Sequence, residues 1–189
     1  ISLWSHQIDI YPNTAEVAYN NRGNEYNRLG NYKQAIIDLD RSIEVNPYYY
    51  QAYNNRGNSY FNLGYYYRAI YDYGKSIEIN PIFAEAHYNR GNALVKLERL
   101  SEAMDDLNKA IELDPAYALA YNNRGIVFDK TGDYEKAIMD FKKVIELDPK
   151  FAGAYYNLAT EYLLLGNKGL AEINFKKAVS MGVKIKANA

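Results

Sequence analysis

The chain of 189 residues contains no cysteine. That excludes disulfides, thiolate nucleophiles and cysteine metal sites, and it leaves the compartment open, since reducing and oxidising surroundings suit it equally. Histidine is nearly absent as well: His6 and His87 are the only two, and neither stands at metal-ligand spacing from other ligating residues. No run approaches the roughly 18 to 20 consecutive apolar residues of a membrane span. No charge of one sign prevails, because 22 Lys and Arg face 23 Asp and Glu. The chain therefore has no global field to draw nucleic acid or an anionic membrane. No glycine-rich phosphate loop follows a strand, and the carboxylates fall in helix-surface columns, not in a pocket that would shift their pKa values. The sequence thus offers no catalytic residue, no metal ligand set and no cofactor site, and it reads as a non-enzyme. It begins with Ile, without a charged-then-apolar leader, and is taken as a processed or excised fragment of a longer chain.

What is abundant is tyrosine, 21 residues, and it is arranged by a period of 34. Gly23, Gly57, Gly91, Gly125 and Ala159 form one column; Ala35, Ala69, Ala103, Ala137 and Ala171 a second; Pro47, Pro81, Pro115 and Pro149 a third. A fixed period of this length means stacked repeats, each burying its apolar face against its neighbours. Full copies run at about 16–49, 50–83, 84–117, 118–151 and 152–185, giving a single array over 1–189. Residues 1–12 read as the second helix of a truncated leading copy, with Trp4 in the column of Tyr73, Phe141 and Phe175 and one extra residue between Pro12 and Glu16.

Each copy divides into two helices, A and B. In the fourth, Tyr121, Gly125 and Phe128 share one helical face, as do Ala137, Phe141 and Val144. Gly30, Gly64, Gly132 and Gly166 stand where a helix end favours the left-handed conformation. Glu98 replaces that glycine in the third copy, so its turn is expected to be strained or differently shaped. Asn-Pro or Asp-Pro ends helix B, because the residue before proline resists helical geometry. The small columns let A and B approach closely while aromatic rings fill the flanks.

This pattern resembles the tetratricopeptide repeat over nearly the whole chain. The resemblance rests on Tyr19, Tyr53, Tyr121 and Tyr155, the small column, the later aromatics Tyr26, Tyr60, Phe128 and Tyr162, the alanine column and the prolines. His87, Leu94 and Val183 depart from it. The resemblance implies an all-α, right-handed superhelical α-solenoid of antiparallel helix pairs, with A helices lining a concave groove and B helices the convex back. On that back, Arg41, Lys75, Lys109 and Lys143 stand three residues before Glu44, Glu78, Glu112 and Glu146, a solvated face.

Where the family usually carries an apolar residue before the small column, this chain has Arg22, Arg56, Arg90 and Arg124, and Leu158 only in the last copy. Helix B carries Asp38, Asp72, Asp106 and Asp140, and then Asn174. The two columns appear together and vanish together. Counted from the inter-helix turn they lie at equal height, which points to partly buried, bidentate ion pairs within a copy or between adjacent ones.

The expected groove is rich in asparagine. One column is unbroken, Asn21, Asn55, Asn89, Asn123 and Asn157; another reads Asn20, Asn54, Tyr88, Asn122 and Tyr156; a third begins Asn24, Asn58, Asn92. Amides offer donor and acceptor together, so such a ladder matches an extended peptide backbone. The alternative is that the unbroken column bonds to neighbouring helices. Phe61, Val95, Leu163 and Leu164 are expected on the groove turn of helix A, and the tyrosines of 48–50 and 65–67 half wet at the rim. The places where the family clamps carboxylate tails hold no basic residue here, but the Asn and Tyr column already given and Val17, Gln51, Glu85, Leu119 and Gly153. The chain is accordingly read as a scaffold holding a segment of another protein. End-to-end self-association through Ala171, Phe175 and Val179 is the alternative, and RNA binding is disfavoured by the missing basic stripe.

Overall fold

The computed structural model describes residues 2–10 and 15–184. Among them are eleven helices and no strand. In chain order they are α1 (Ser2–Ile10), α2 (Glu16–Arg28), α3 (Tyr32–Val45), α4 (Tyr50–Asn62), α5 (Tyr66–Ile79), α6 (Ala84–Lys96), α7 (Leu100–Leu113), α8 (Ala118–Lys130), α9 (Tyr134–Leu147), α10 (Ala152–Leu164) and α11 (Lys168–Ser180). The chain is all-α. Pro12 and the extra residue after it lie outside the described residues.

The turns follow from a few residues. Gly30, Gly64, Gly132 and Gly166 have φ of 75°, 79°, 81° and 77°. The next amide in each case reaches back to the carbonyl of residue 26, 60, 128 or 162, which closes the A helix in a Schellman cap. Glu98 holds φ 56° and keeps the same bond, Arg99 N to Leu94 O. The third turn therefore has the shape of the others and carries its strain in a non-glycine residue, on the order of 1 kcal/mol. At the other end of each hairpin, Asn46, Asn80 and Asp148 have the extended backbone that a following proline demands. Their type has its own reason: the side-chain oxygens of Asn46, Asp114 and Asp148 accept the amides of Tyr48, Ala116 and Lys150 in Asx turns.

Helix B starts differ among copies. Asp133 and Asn167 cap α9 and α11 by accepting the amides of Lys136 and Leu170. Tyr65 occupies the same place before α5 and makes no side-chain cap, forgoing about 1 kcal/mol.

Two compact units divide the chain, residues 1–102 and 103–189. In the first, α2 packs on α3, α3 on α4, α4 on α5 and α5 on α6; α2 also touches α4, and α4 touches α6. Successive A helices thus approach one another directly. In the second, α8 packs on α9, α9 on α10 and α10 on α11. At the A–B contacts the small column is a steric necessity. A Cβ on Gly57 would stand 2.6 Å from the buried Tyr73 ring, one on Gly125 2.7 Å from that of Phe141, and one on Gly23 2.8 Å from Leu39 Cγ. The partner alanines Ala35, Ala69 and Ala137 are wholly buried. Trp4 packs on Ile8, Ala15 and Ala18.

Two glycine substitutions separate crowding from backbone strain. Gly125→Ala should cost about 1–3 kcal/mol in urea unfolding, because the enclosed Phe141 ring has nowhere to go. Gly132→Ala should cost about 1 kcal/mol, although its added Cβ meets nothing within 4 Å, because only the positive φ penalises it.

Candidate binding surface

Three arginines on A helices each grip a carboxylate of their own hairpin. Arg22 Nε and Nη2 donate to the two carboxylate oxygens of Asp38 at 2.7 Å each. Arg56 binds Asp72 at 2.8 and 2.7 Å, and Arg124 binds Asp140 at 2.8 and 2.7 Å. The remaining Nη1 turns to the preceding hairpin or helix: to Ser5 Oγ from Arg22, to Asp40 from Arg56 and to Asn108 from Arg124. Tyr19, Tyr53 and Tyr121, three residues earlier on each A helix, place a ring under the guanidinium at 5.9, 5.6 and 5.4 Å. Hydrogen bonding to Asp38 and Asp140 raises the pKa of Arg22 and Arg124. Burial works against the charge of Arg56, but Asp72 and Asp40 overcome it and raise its pKa as well. Asp106 is buried like its counterparts, and Arg90 Nη1 lies 3.7 Å from where a Cβ on Gly74 would stand. In the last copy Leu158 is buried with Phe141 and Ile138, and Asn174 bonds its own helix at Leu170 O.

The asparagine ladder is directed inward. Asn20, Asn54 and Asn122 are buried. Asn55 Nδ2 donates to Asn20 Oδ1 at 2.9 Å, Asn89 to Asn54 at 3.0 Å and Asn157 to Asn122 at 3.2 Å. Asn20 and Asn122 in turn donate to Asn21 and Asn123, and Asn54 to Glu85. The Asn55–Asn20, Asn89–Asn54, Asn157–Asn122 and Asn54–Glu85 bonds tie one A helix to the next, the alternative to a ladder facing a ligand. The physical reason is burial: an amide sealed between helices must find a partner there. The third column differs. Asn24 is exposed and Asn92 half-buried, and neither hydrogen-bonds another described residue. Asn58 accepts from Tyr73 Oη at 2.8 Å and keeps its Nδ2 donor uncommitted.

The apolar border also divides. Phe61 is half-buried, edge-on to Tyr66 at 5.4 Å and packed on Ala69, Tyr73 and Ala93, so it seals a joint more than it lines a groove. Val95 and Tyr88 are half-buried, whereas Leu163 and Leu164 are exposed. Tyr156 is exposed with its ring 5.5 Å from Phe175. Tyr49, Tyr50 and Tyr66 are half-buried as expected of a rim, but Tyr48, Tyr65 and Tyr67 stand out into solvent. His87 is buried with Nε2 3.1 Å from Pro81 O. Among the described residues, no group of three or more His, Asp or Glu is placed to hold a metal, and no helix is long and apolar enough to cross a membrane.

One residue escaped sequence reasoning. Glu161 on α10 is 2% exposed, and its Oε2 has no hydrogen-bond partner. Burial first, and the charge of Asp129 second, push its pKa up to about 7. Its column reads Glu25, half-buried and paired with Arg28, and then Ser59, Ala93 and Val127, all buried; the available signal was a carboxylate returning after three small or apolar residues, without an arginine three places on.

Comparison with known proteins agrees with the hairpin geometry. Models of the tetratricopeptide repeat match residues 17–49 and 118–151 and 141–173, and a TPR repeat model matches 57–97 and 91–132. Among solved structures, MamA is 30% identical with a TM-score of 0.75, over 84% of this chain and 93% of that one. YrrB, a TPR protein with "an unusual peptide-binding site", is 25% identical with a TM-score of 0.74, over 95% and 92%. Pseudomonas aeruginosa pilF, at 21% identity, a TM-score of 0.85 and coverage of 90% and 78%, is a likeness of fold alone. Comparison with curated proteins gives no match.

Removing one side of a fork should strand a charge. Asp140→Ala is expected to cost about 3–5 kcal/mol in chemical denaturation, far beyond the effect of an exposed pair such as Lys143–Glu146. Glu161 gives the opposite pH dependence to a paired carboxylate. Its folded pKa is raised, so folding is unpenalised below the ordinary value of 4.5 and loses stability as pH climbs towards 7. Relative to Glu161→Gln, the native chain should lose on the order of 2 kcal/mol between pH 4.5 and 8. Parallel pH profiles for the two proteins would remove Glu161 as the cause.

Proposed function

Because the chain belongs to the tetratricopeptide repeat family, we propose that it is a protein-interaction scaffold, holding an extended segment of another protein on the face shared by α2, α4 and α6. The observation that carries this reading is the column Asn24, Asn58 and Asn92. Its members recur at 34-residue spacing on successive A helices, and all three keep amide donors that no described residue uses. The neighbouring amide donors of Asn20, Asn54, Asn55 and Asn89 are committed within the stack. They set the distance between A helices, and the third column presents the capacity left over. Uncommitted amides pair with backbone C=O and N–H groups whatever the side chains of the bound segment. Tyr88 and Val95, both half-buried on α6, offer apolar contact beside them. The peptide-binding site of YrrB lends support as a similar structure. The near-balance of charge favours a protein segment over nucleic acid.

A second reading has its own observation. Leu163, Ala171, Phe175 and Val179 line an apolar cavity of 590 Å³ on α10 and α11, a face suited to self-association. Sedimentation velocity across a concentration series tests it: a dimer that Phe175→Glu abolishes supports it, and a single monomeric species at all concentrations removes it.

Peptides selected from a displayed random library and measured by calorimetry test the main reading. The variant Asn24→Ala/Asn58→Ala/Asn92→Ala should bind them at least about tenfold more weakly, the loss of roughly 1.4 kcal/mol or more; its melting temperature should fall only as far as that of Tyr73→Phe, which removes the same Tyr73–Asn58 bond but keeps the Asn58 amide and the binding. Undiminished affinity in the triple variant would contradict it.

A further inference from the structure

A second surface lies on the α4–α5 turn and the first turns of α5, apart from the Asn24–Asn58–Asn92 column. Two adjoining cavities, of 310 and 360 Å³, share the side chains of Tyr67 and Arg68 as a common wall. Tyr65, Tyr67 and Tyr71 stand out around them at 55, 72 and 62% exposure. The other copies place polar, charged or aliphatic residues there: Lys33, Ser101, Glu135 and Gly169 match Tyr67, and Ile37, Asp105, Met139 and Ile173 match Tyr71. Tyr65 takes the place where Asp133 and Asn167 cap their helices, and its ring accepts no amide there. Asn31 in the first copy makes no side-chain cap either, so what sets the second copy apart is the three rings it leaves in water, which folding does not reward.

The guanidinium at the centre is held ready. Arg68 lies over the Tyr60 ring and over the Tyr65 ring, 5.6 Å from each centroid, and those rings stand 6.5 Å apart. It has no carboxylate partner among the described residues. Asp72, one helical turn on, spends both oxygens on Arg56 and is buried. A guanidinium fixed by two rings loses little side-chain entropy on binding, and its donors suit a carboxylate bidentately. Around it the charges cancel: Arg56 faces Asp72 and Asp40, and Arg99 faces Glu102. A polyanion gains nothing from such a balance, whereas a single carboxylate flanked by apolar side chains does.

We propose that this patch binds an acidic, apolar segment of a partner protein, with a carboxylate on Arg68 and apolar side chains against Tyr67 and Tyr71. Because one exposed ion pair carries part of it, the affinity falls as salt rises, but less steeply than that of a polyanion making many such contacts.

The test uses the full chain, labelled with ¹⁵N, and a synthetic six-residue peptide alternating Glu with Pro and Leu. Saturable amide shifts confined to residues 64–71 and 97 are expected. Arg68→Gln should weaken binding at least tenfold, as should Tyr67→Ser/Tyr71→Ser, with unchanged melting curves, since all three side chains are exposed. The triple variant Asn24→Ala/Asn58→Ala/Asn92→Ala should bind this peptide normally, so the two surfaces are judged separately. Equal binding of the peptide with Gln in place of Glu, shifts spread elsewhere or no shifts at all would overturn the proposal. Tighter binding of oligouridylate at the same residues would overturn it in favour of single-stranded RNA.

Discussion

A guanidinium that reaches two hairpins at once is the contact on which the rest of the stack depends. Arg56 closes a two-pronged bond on Asp72 within its own copy and extends its third nitrogen to Asp40 of the copy before. Arg124 does the same with Asp140 and Asn108. A buried carboxylate and a half-buried guanidinium repay their desolvation only when geometry satisfies nearly every donor, and here each carboxylate receives two donors while a tyrosine ring supports the cation. The constraint fixes both the pairing of A with B and the step from one hairpin to the next. The small column then decides how near the helices come.

That step has a consequence for recognition. With neighbouring A helices drawn together, the amides between them are enclosed and must satisfy one another, as Asn55 does with Asn20 and Asn89 with Asn54. Binding capacity is left to residues one turn along, which the stack does not consume. The tyrosines of the second copy follow the same logic from the other side. They occupy places that packing does not need and that other copies fill with polar, charged or aliphatic residues.

The helices, their turns and the repeat length were legible because each has a local cause. Glycine past a helix end, Asx-Pro after another and alanine at a contact act within a few residues. The direction of a side chain between two helices has no such local cause. Asn20 and Asn24 are one residue type a turn apart on α2, and only the approach of the neighbouring hairpin makes Asn20, like its counterpart Asn54 on α4, a buried tie and leaves Asn24 open. Phe61 is half-buried for the same reason, since Tyr66 and Tyr73 pack on it from the next helix. The Arg and Asp columns could be paired on paper because both change together at Leu158 and Asn174. The third arm, to the preceding copy, could not, because its partners are a serine, an aspartate and an asparagine with no common type. Glu98 shows the limit in the other direction: the turn keeps its shape without glycine, because the Arg99–Leu94 bond and the flanking helices enforce it.

A double-mutant cycle between Arg56 and Asp72 probes the central contact most directly, using the residues that the last copy places there. Arg56→Leu and Asp72→Asn are each made alone and then together, and unfolding free energies are compared. If the fork joins the stack, Arg56→Leu leaves the buried Asp72 carboxylate unpaired and Asp72→Asn leaves the half-buried Arg56 with Asp40 alone, and the double variant is more stable than the sum of losses implies by at least about 2 kcal/mol. Losses that simply add would contradict the account, since they would mean that the two side chains contribute independently of one another.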